Sequence, residues 1–531
     1  MSFPGNRKSG VLLHISSLPG SYGIGDMGRA AVEFADILAD SGVGAWQVLP
    51  LVPTNGISSH SPYSSQSAFA GNTNLIDLCW LADQGLADPG RLAELVLPQS
   101  DAVDFDAASQ ARRCLLHEAY ANFRRDDAYK TRFRKLSDDF WNFCVREAYW
   151  LEDYALFCVL KEIENQASWG EWRPQFRDRD WGTLDALKSD AEISRKLDIR
   201  RFEQFIFFRQ MGLLREECRR RGIELIGDLP IYVAYDSSDV WGHRELFMLD
   251  ESGRPSCVAG VPPDYFSETG QRWGNPIYRW DRMREDGYKW WLERIGHTLR
   301  CVDTVRLDHF RGFMGYWEIP EEEPTAVNGE WRRGPGRDLF YQLRRSFGRS
   351  EDGRMPFIAE DLGVMTPDVR ETMEEFGLPG MKVLHFAFGE GMPQNPYVPH
   401  NHRRDSVVYV GTHDNNTTVG WWEEEGLGQD RANFQRYIGA RNLTGREAAD
   451  AMIRMALSSP AELAVITAQD ILRLGLRARM NTPSTVEGNW AWKLKDLDGL
   501  RNRAGEIREL STIYGRFQAP EKPDGESRND G

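Results

Sequence analysis

The segment Cys301–Gly312 reads CVDTVRLDHFRG, and two patterns meet in it. Its first half is that of a buried strand: Cys301, Val302, Thr304, Val305 and Leu307 are apolar or β-branched. Its second half is crowded with charge, from Arg306, Asp308, His309 and Arg311. Side chains alternate between the two faces of a strand, so Val305 and Leu307 share one face and Arg306 and Asp308 the other. An Arg–Asp pair on one face of a strand end is either a plain buried ion pair or part of a site. The rest of the chain decides between them.

Seven further runs have the same buried-strand character. They are Gly10–His14, Ala45–Leu51, Glu224–Asp228, Phe357–Glu360, Met381–Phe386, Ser406–Thr412 and Ala464–Asp470. Amphipathic helical patterns stand between most of them, at Ala30–Ala39, Phe202–Arg221, Tyr288–Arg300, Leu339–Phe347, Thr366–Phe376 and Arg446–Leu457. Strands alternating with helices imply parallel βα units, and eight of them imply an α/β fold of the (β/α)8 TIM barrel type. The spacing is uneven. About 175 residues separate the second strand from the third and about 80 the third from the fourth, too many for single crossovers. Two insertions are therefore expected, a helical one over about 84–200 and a loop-rich one, dense in Gly, Pro and Trp, over about 229–285. Residues 1–516 are read as one catalytic barrel domain carrying both. The polar stretch 517–531 is read as a disordered tail.

Composition narrows the function classes. The chain has 531 residues, 41% hydrophobic and 27% charged, with a net charge of −15. Acidity spread along the chain disfavours nucleic acid or an anionic membrane surface as partner. No apolar run approaches the roughly 18 residues of a membrane span, and the N-terminus lacks a signal-peptide pattern. Seven scattered cysteines without a CxxC pair point to a reducing cytosol and a cytoplasmic protein. The 18 Trp, 17 Tyr and 26 Phe suit large cores, or the stacking of flat sugar faces.

Two motifs mislead. Gly23–Gly28 spells GxGxxG, but about eight residues separate it from the preceding strand and no acidic residue ends the next one, so it reads as a helix-capping loop rather than a dinucleotide site. His400 and His402 lack the supporting carboxylates of a metal site, and no metal is expected.

Catalytic groups of such barrels sit at the carboxyl ends of the strands. Here those ends carry Asp228, Asp308, Glu360 with Asp361, His385, His413 with Asp414, and Asp470. Carboxylates without an evident metal, Ser or Cys nucleophile suit glycoside cleavage, which needs one carboxylate to attack and one carboxylic acid to protonate the leaving oxygen. Arg306 is expected to hold Asp308 ionised, as a nucleophile requires. Apolar neighbours are expected to raise the pKa of Glu360, as a general acid requires. Asp414 is placed to bridge sugar hydroxyls and help twist the ring.

The blocks VRLDHFRG, FIAEDLG (357–363) and GTHDNNT (411–417) resemble the three catalytic blocks of the amylomaltases, the 4-α-glucanotransferases of the α-amylase superfamily. The likeness extends from SGVLLHISSLPGSYGIGDMG (9–28) through SPYSSQSAFAGN (61–72), IGDLPIYVAYDSSDVW (226–241) and GVPPDYFSETGQRWGNPIYRW (260–280) to MNTPSTVEGNWAWK (480–493). It implies that Asp308 is the nucleophile, Glu360 the general acid/base and Asp414 the transition-state stabiliser. It further implies that Tyr63 stacks beneath the reacting sugar and that Arg306, His309 and His413 bind its hydroxyls or flank the carboxylates. Ser61, Gln271, Trp273, Asp361 and Asn481 would contact the acceptor or neighbouring sugars. One departure is Ser484, where the family usually has Gly.

The expected activity is retaining transfer of α-1,4-glucan segments between maltooligosaccharides, glucose serving as an acceptor, with no cofactor. Two alternatives stay open: an amylase-type hydrolase using the same triad, and a non-catalytic glucan-binding protein. Tyr63 and Trp273 also suit ordinary loop anchors, the two histidines neutral hydrogen-bonding roles, and Asp228 a structural role. The acidic runs Glu321–Glu323 and Glu423–Glu425 read as solvated faces. Oligomeric state is left open.

Overall fold

The computed structural model describes residues 7–125, 131–263, 267–349, 353–363 and 365–517. Eight parallel strands close into a barrel in the order β1, β12, β11, β10, β9, β6, β3, β2. In chain order its strands are β1 (Lys8–Leu12), β2 (Ala45–Gln47), β3 (Glu224–Leu229), β6 (Thr304–Leu307), β9 (Phe357–Ala359), β10 (Gly380–Val383), β11 (Ser406–Tyr409) and β12 (Leu463–Thr467). All eight expected strands are present; β3 is one residue longer than its apolar run, and the others are shorter than theirs or offset by a residue or two. The residues beyond the strand ends turn away into loops, and those loops build the site.

Alternation along the strands makes two cores. Leu12, Ala45, Ile226, Ile358, Met381, Val383, Val407, Tyr409 and Val465 fill the barrel interior. Val305, Leu307 and the opposite face of the other strands pack outward against the helices. Arg306 lies on the interior parity, opposite Asp228 of β3 on one side and Ile358 of β9 on the other. Two residues further up, the same parity brings Asp308 and Glu360 to one height above the interior core.

The insertion after β2 is helical as expected. Its longest elements are two 30-residue helices, Arg134–Ile163 and Ala191–Arg220, which pack on each other. The insertion after β3 is not simply loop-rich. It contributes β4 (Cys257–Val261) and β5 (Gln271–Pro276), which join β7 (Gly315–Pro320) and β8 (Glu330–Arg333) in an antiparallel sheet of order β5-β4-β7-β8. Strands β7 and β8 follow the fourth barrel strand, so this sheet is sealed by pairing between distant segments that no local pattern announces. Of the expected tail, residues 518–531 lie outside the described residues. Among those described, no helix is long and apolar enough to cross a membrane, and all seven cysteines are free.

Candidate active site

The site grows from the end of β6. Arg306 is buried, and its Nη1 lies 2.8 Å from Asp308 Oδ1 and 2.8 Å from each carboxylate oxygen of Asp228. Asp228 Oδ2 also accepts from the Tyr63 hydroxyl at 2.6 Å. A chain Tyr63–Asp228–Arg306–Asp308 thus runs across the floor of the site. The Asp308 side chain keeps 26% of its surface exposed, so the carboxylate is both anchored and reachable.

His309 then turns the chain sharply, with φ of 49°, a left-handed conformation that His tolerates better than bulkier residues. The turn aims its backbone N–H at Glu360 Oε2, 2.8 Å away. The N–H of Leu362 donates to the other oxygen at 2.8 Å. Glu360 is therefore fixed by backbone groups, whereas Asp308 is fixed by a cation.

Burial raises both carboxyls, and each has its own opposing partners. Burial, and after it the negative charge of Asp308, push Glu360 up to about 7, against the opposing pull of Arg306 and the two N–H groups. Burial also raises Asp308 above the ordinary aspartate range, opposed by Arg306 and reinforced by Asp228. Arg306 does not serve Asp308 alone, as its spacing in the sequence suggested. It divides its charge between two carboxylates, and Asp308 is held in place more than it is acidified. Between two interacting carboxyls, the one touching the guanidinium ionises first, which leaves the proton on Glu360.

Asp414 faces this pair from the loop after β11. Its Oδ1 accepts from Asn481 Nδ2 at 2.7 Å, and its Oδ2 lies 3.3 Å from His413 Nε2. The His413 ring stacks on Tyr63, with centroids 4.9 Å apart. Trp273 meets His309 edge-on at 5.0 Å. These residues line a cleft of about 310 Å³ together with Ser61, Tyr232, Asn275 and Trp490. Burial, and with it the nearby Arg311, depress His309 to about 4, so it is neutral at physiological pH.

Of the twelve residues singled out from the sequence, ten gather at the cleft or its floor. Gln271 sits one step back: its side-chain oxygen accepts from Trp273 Nε1 at 3.1 Å, so it steadies the indole. Asp361 is the clear exception. Its Oδ1 accepts the Met381 N–H at 2.6 Å, and Lys382 Nζ lies 3.4 Å from Oδ2. A side chain at Gly380 would come within 2.5 Å of the same carboxylate. Asp361 therefore ties the loop after β9 to the start of β10.

Other strand-end groups are also structural. His385 stacks on Trp421 at 5.5 Å and bonds Thr418 Oγ1 at 3.0 Å. Asp470 is fully buried and accepts from the Thr418 N–H at 2.6 Å and the Thr467 hydroxyl at 2.8 Å. His400 and His402 bond tyrosine, serine and carbonyl groups, and no cluster suited to a metal ion occurs among the described residues. Gly28 caps the helix Arg29–Asp40, as read for the GxGxxG stretch.

Sequence reasoning missed Tyr232, Asn275, Trp490 and His14. Burial and the charge of His413 depress His14 to about 3, and its Nδ1 accepts the Leu49 N–H at 3.2 Å. Trp490 lies inside the quoted block 480–493, but nothing in the sequence separates it from other tryptophans.

Known proteins share this sequence and this parallel barrel over nearly the whole chain. Residues 13–498 match the profile of the family described as 4-alpha-glucanotransferase. A 4-alpha-glucanotransferase of Thermus thermophilus is 46% identical over 496 residues, covering 92% of this chain and 95% of its own. The chloroplastic/amyloplastic 4-alpha-glucanotransferase of Solanum tuberosum is 41% identical over 519 residues, 96% of this chain and 87% of its own. The amylomaltase of Streptococcus agalactiae, solved in complex with acarbose, superposes with a TM-score of 0.89 at 36% identity, over 96% of this chain and all of its own. Matched over nearly its whole length by the family profile and by these relatives, the chain belongs to the 4-alpha-glucanotransferase family.

Proposed function

We propose that this chain transfers α-1,4-glucan segments between maltooligosaccharides by a retaining double displacement, with Asp308 as nucleophile, Glu360 as general acid/base and Asp414 as stabiliser of the oxocarbenium-like transition state. The observation that supports these roles is the contrast between two neighbouring carboxyls: one anchored to the Arg306 guanidinium, one held by two backbone N–H groups and raised by burial to about 7. Glu360 delivers its proton to the glycosidic oxygen as Asp308 attacks the anomeric carbon, and a glucosyl ester forms. Esterification removes the negative charge of Asp308, the second-largest cause holding Glu360 up. The acidity of Glu360 then rises, its proton having already gone, and it acts as base toward the 4-hydroxyl of the incoming sugar.

Tyr63, His413 and Trp490 form one aromatic wall of the cleft, and Tyr232 and Trp273 another, an arrangement that suits stacked sugar rings at donor and acceptor positions. Family membership supports transfer to sugar over transfer to water. A reducing, cytosol-like compartment is in keeping with seven free thiols.

The test is incubation of the purified protein with maltotriose. Transfer yields glucose and a ladder of longer maltodextrins with little net gain of reducing ends. Glucose and maltose with rising reducing ends would instead identify a hydrolase.

A further inference from the structure

Asp414 is not on a barrel strand. β11 ends at Tyr409, and Asp414 stands five residues beyond it on a loop, its side chain 46% exposed. Such a carboxylate needs a tether if it is to meet a transition state in one orientation. Its local contacts are modest: its N–H donates to Thr412 Oγ1 at 3.3 Å.

The long-range tether is Arg479. Its Nη2 donates to the Asp414 backbone carbonyl at 2.9 Å, and its Nε donates to the Asn481 carbonyl at 2.8 Å. Asn481 Nδ2 in turn donates to Asp414 Oδ1 at 2.7 Å. Guanidinium, Asn481 and Asp414 thus close a ring of hydrogen bonds. The planar fork sets the distance between the two backbones, and that distance sets the amide-to-carboxylate bond. The third donor, Nη1, reaches Glu425 Oε1 at 2.8 Å. The same oxygen accepts from Asn416 Nδ2 at 3.0 Å, two residues past Asp414. Glu425 is the last residue of a π-helical turn, Trp421–Glu425, a form that recurs at functional sites. The acidic run 423–425 read as a solvated face; its last member is instead engaged from two sides.

We propose that Arg479, steadied by Glu425, is the positioning residue for Asp414 and sets how well the carboxylate meets the transition state. The inference rests on the role given to Asp414 above. Lysine cannot replace the arginine, because one ammonium nitrogen cannot occupy the places of Nε, Nη1 and Nη2 on three segments at once. Glu425 is half-exposed, so its own contribution is the smaller one.

The test compares D414N, R479K, N481A, the double variant R479K/N481A and E425A in maltotriose disproportionation, with thermal unfolding measured on each. Expected for R479K is a kcat roughly ten- to hundredfold lower, with KM changed by less than about threefold. The double variant should be no worse than about threefold below its weaker parent, because both changes act through the same carboxylate. E425A should lose only a few-fold in kcat, again with KM unmoved. The proposal is overturned if R479K keeps kcat within about threefold of the parent, if its loss falls on KM, or if the two single losses multiply in the double variant. Should R479K not fold, E425A, N481A and the double variant E425A/N481A carry the same test, since multiplying losses there also overturn it. An active D414N would remove the role of Asp414 itself. An inactive D414N beside an unimpaired R479K would remove only the positioning role.

Discussion

The acidity of Glu360 makes the most exacting prediction. Its carboxyl moves from 4.5 to about 7, burial being the first cause and Asp308 the second. A general acid must enter the reaction protonated. At pH 7 a group titrating near 7 is half protonated, whereas one at 4.5 would be protonated to roughly 0.3%, so the shift multiplies the competent fraction by about 160. kcat/KM for maltotriose should therefore be flat below neutrality on the side set by Glu360, bend near pH 7 and fall about tenfold per unit above it. Removing the neighbouring charge in D308N should abolish transfer. It should also lower the Glu360 titration by about one unit or more, since Asp308 is the second of the two raising causes. That titration is read from the carboxyl carbon of labelled glutamate by NMR. For stability the sign is set by the folded state holding the proton more tightly than the unfolded chain. The contribution of Glu360 to stability therefore falls as pH rises from about 4.5 through about 7. An alkaline limb lying beyond pH 9, or a Glu360 titration that stays put or rises in D308N, would refute this account of the acid/base pair.

Two further perturbations separate neighbouring roles. D361A should cost about 1–3 kcal/mol of stability, because it strips the buried Met381 N–H of its acceptor. KM for maltotriose should stay unchanged, and a raised KM at unchanged stability would show a sugar contact instead. Ser484 sits at φ of 66° on an exposed loop, a conformation that strains any residue but glycine. S484G should stabilise the loop by up to about 1 kcal/mol after the extra flexibility of glycine is subtracted, seen as slower amide exchange over 482–489. Faster exchange would show that the serine is not strained there.

Much of the site was legible because its signals are short-range. Arg306 and Asp308 share a face by strand parity, Glu360 follows an apolar strand, and barrel strand ends point to one rim. These facts need only a few consecutive residues each. The partners of those residues were not legible. Asp228 and Asp361 both stand at strand ends among similar neighbours, yet one joins Tyr63 to Arg306 and the other fastens the start of β10. Both acidic runs read alike, yet each sends a carboxylate to a distant arginine: Glu425 to Arg479, 54 residues further along the chain, and Glu321 back to Arg272.

The sequence by itself determined the parallel barrel and the rim at which its charged strand ends gather, because periodicity and strand-end position are written locally. Only the tertiary structure decided that Arg306 is shared between Asp228 and Asp308, that β4 and β5 pair with β7 and β8, and that Asp414 is held by Arg479. Each of these depends on which distant segments closure of the barrel brings within hydrogen-bonding distance, and side-chain acidity depends in turn on that packing, since burial and neighbouring charge are properties of the assembled site and not of any one stretch of chain.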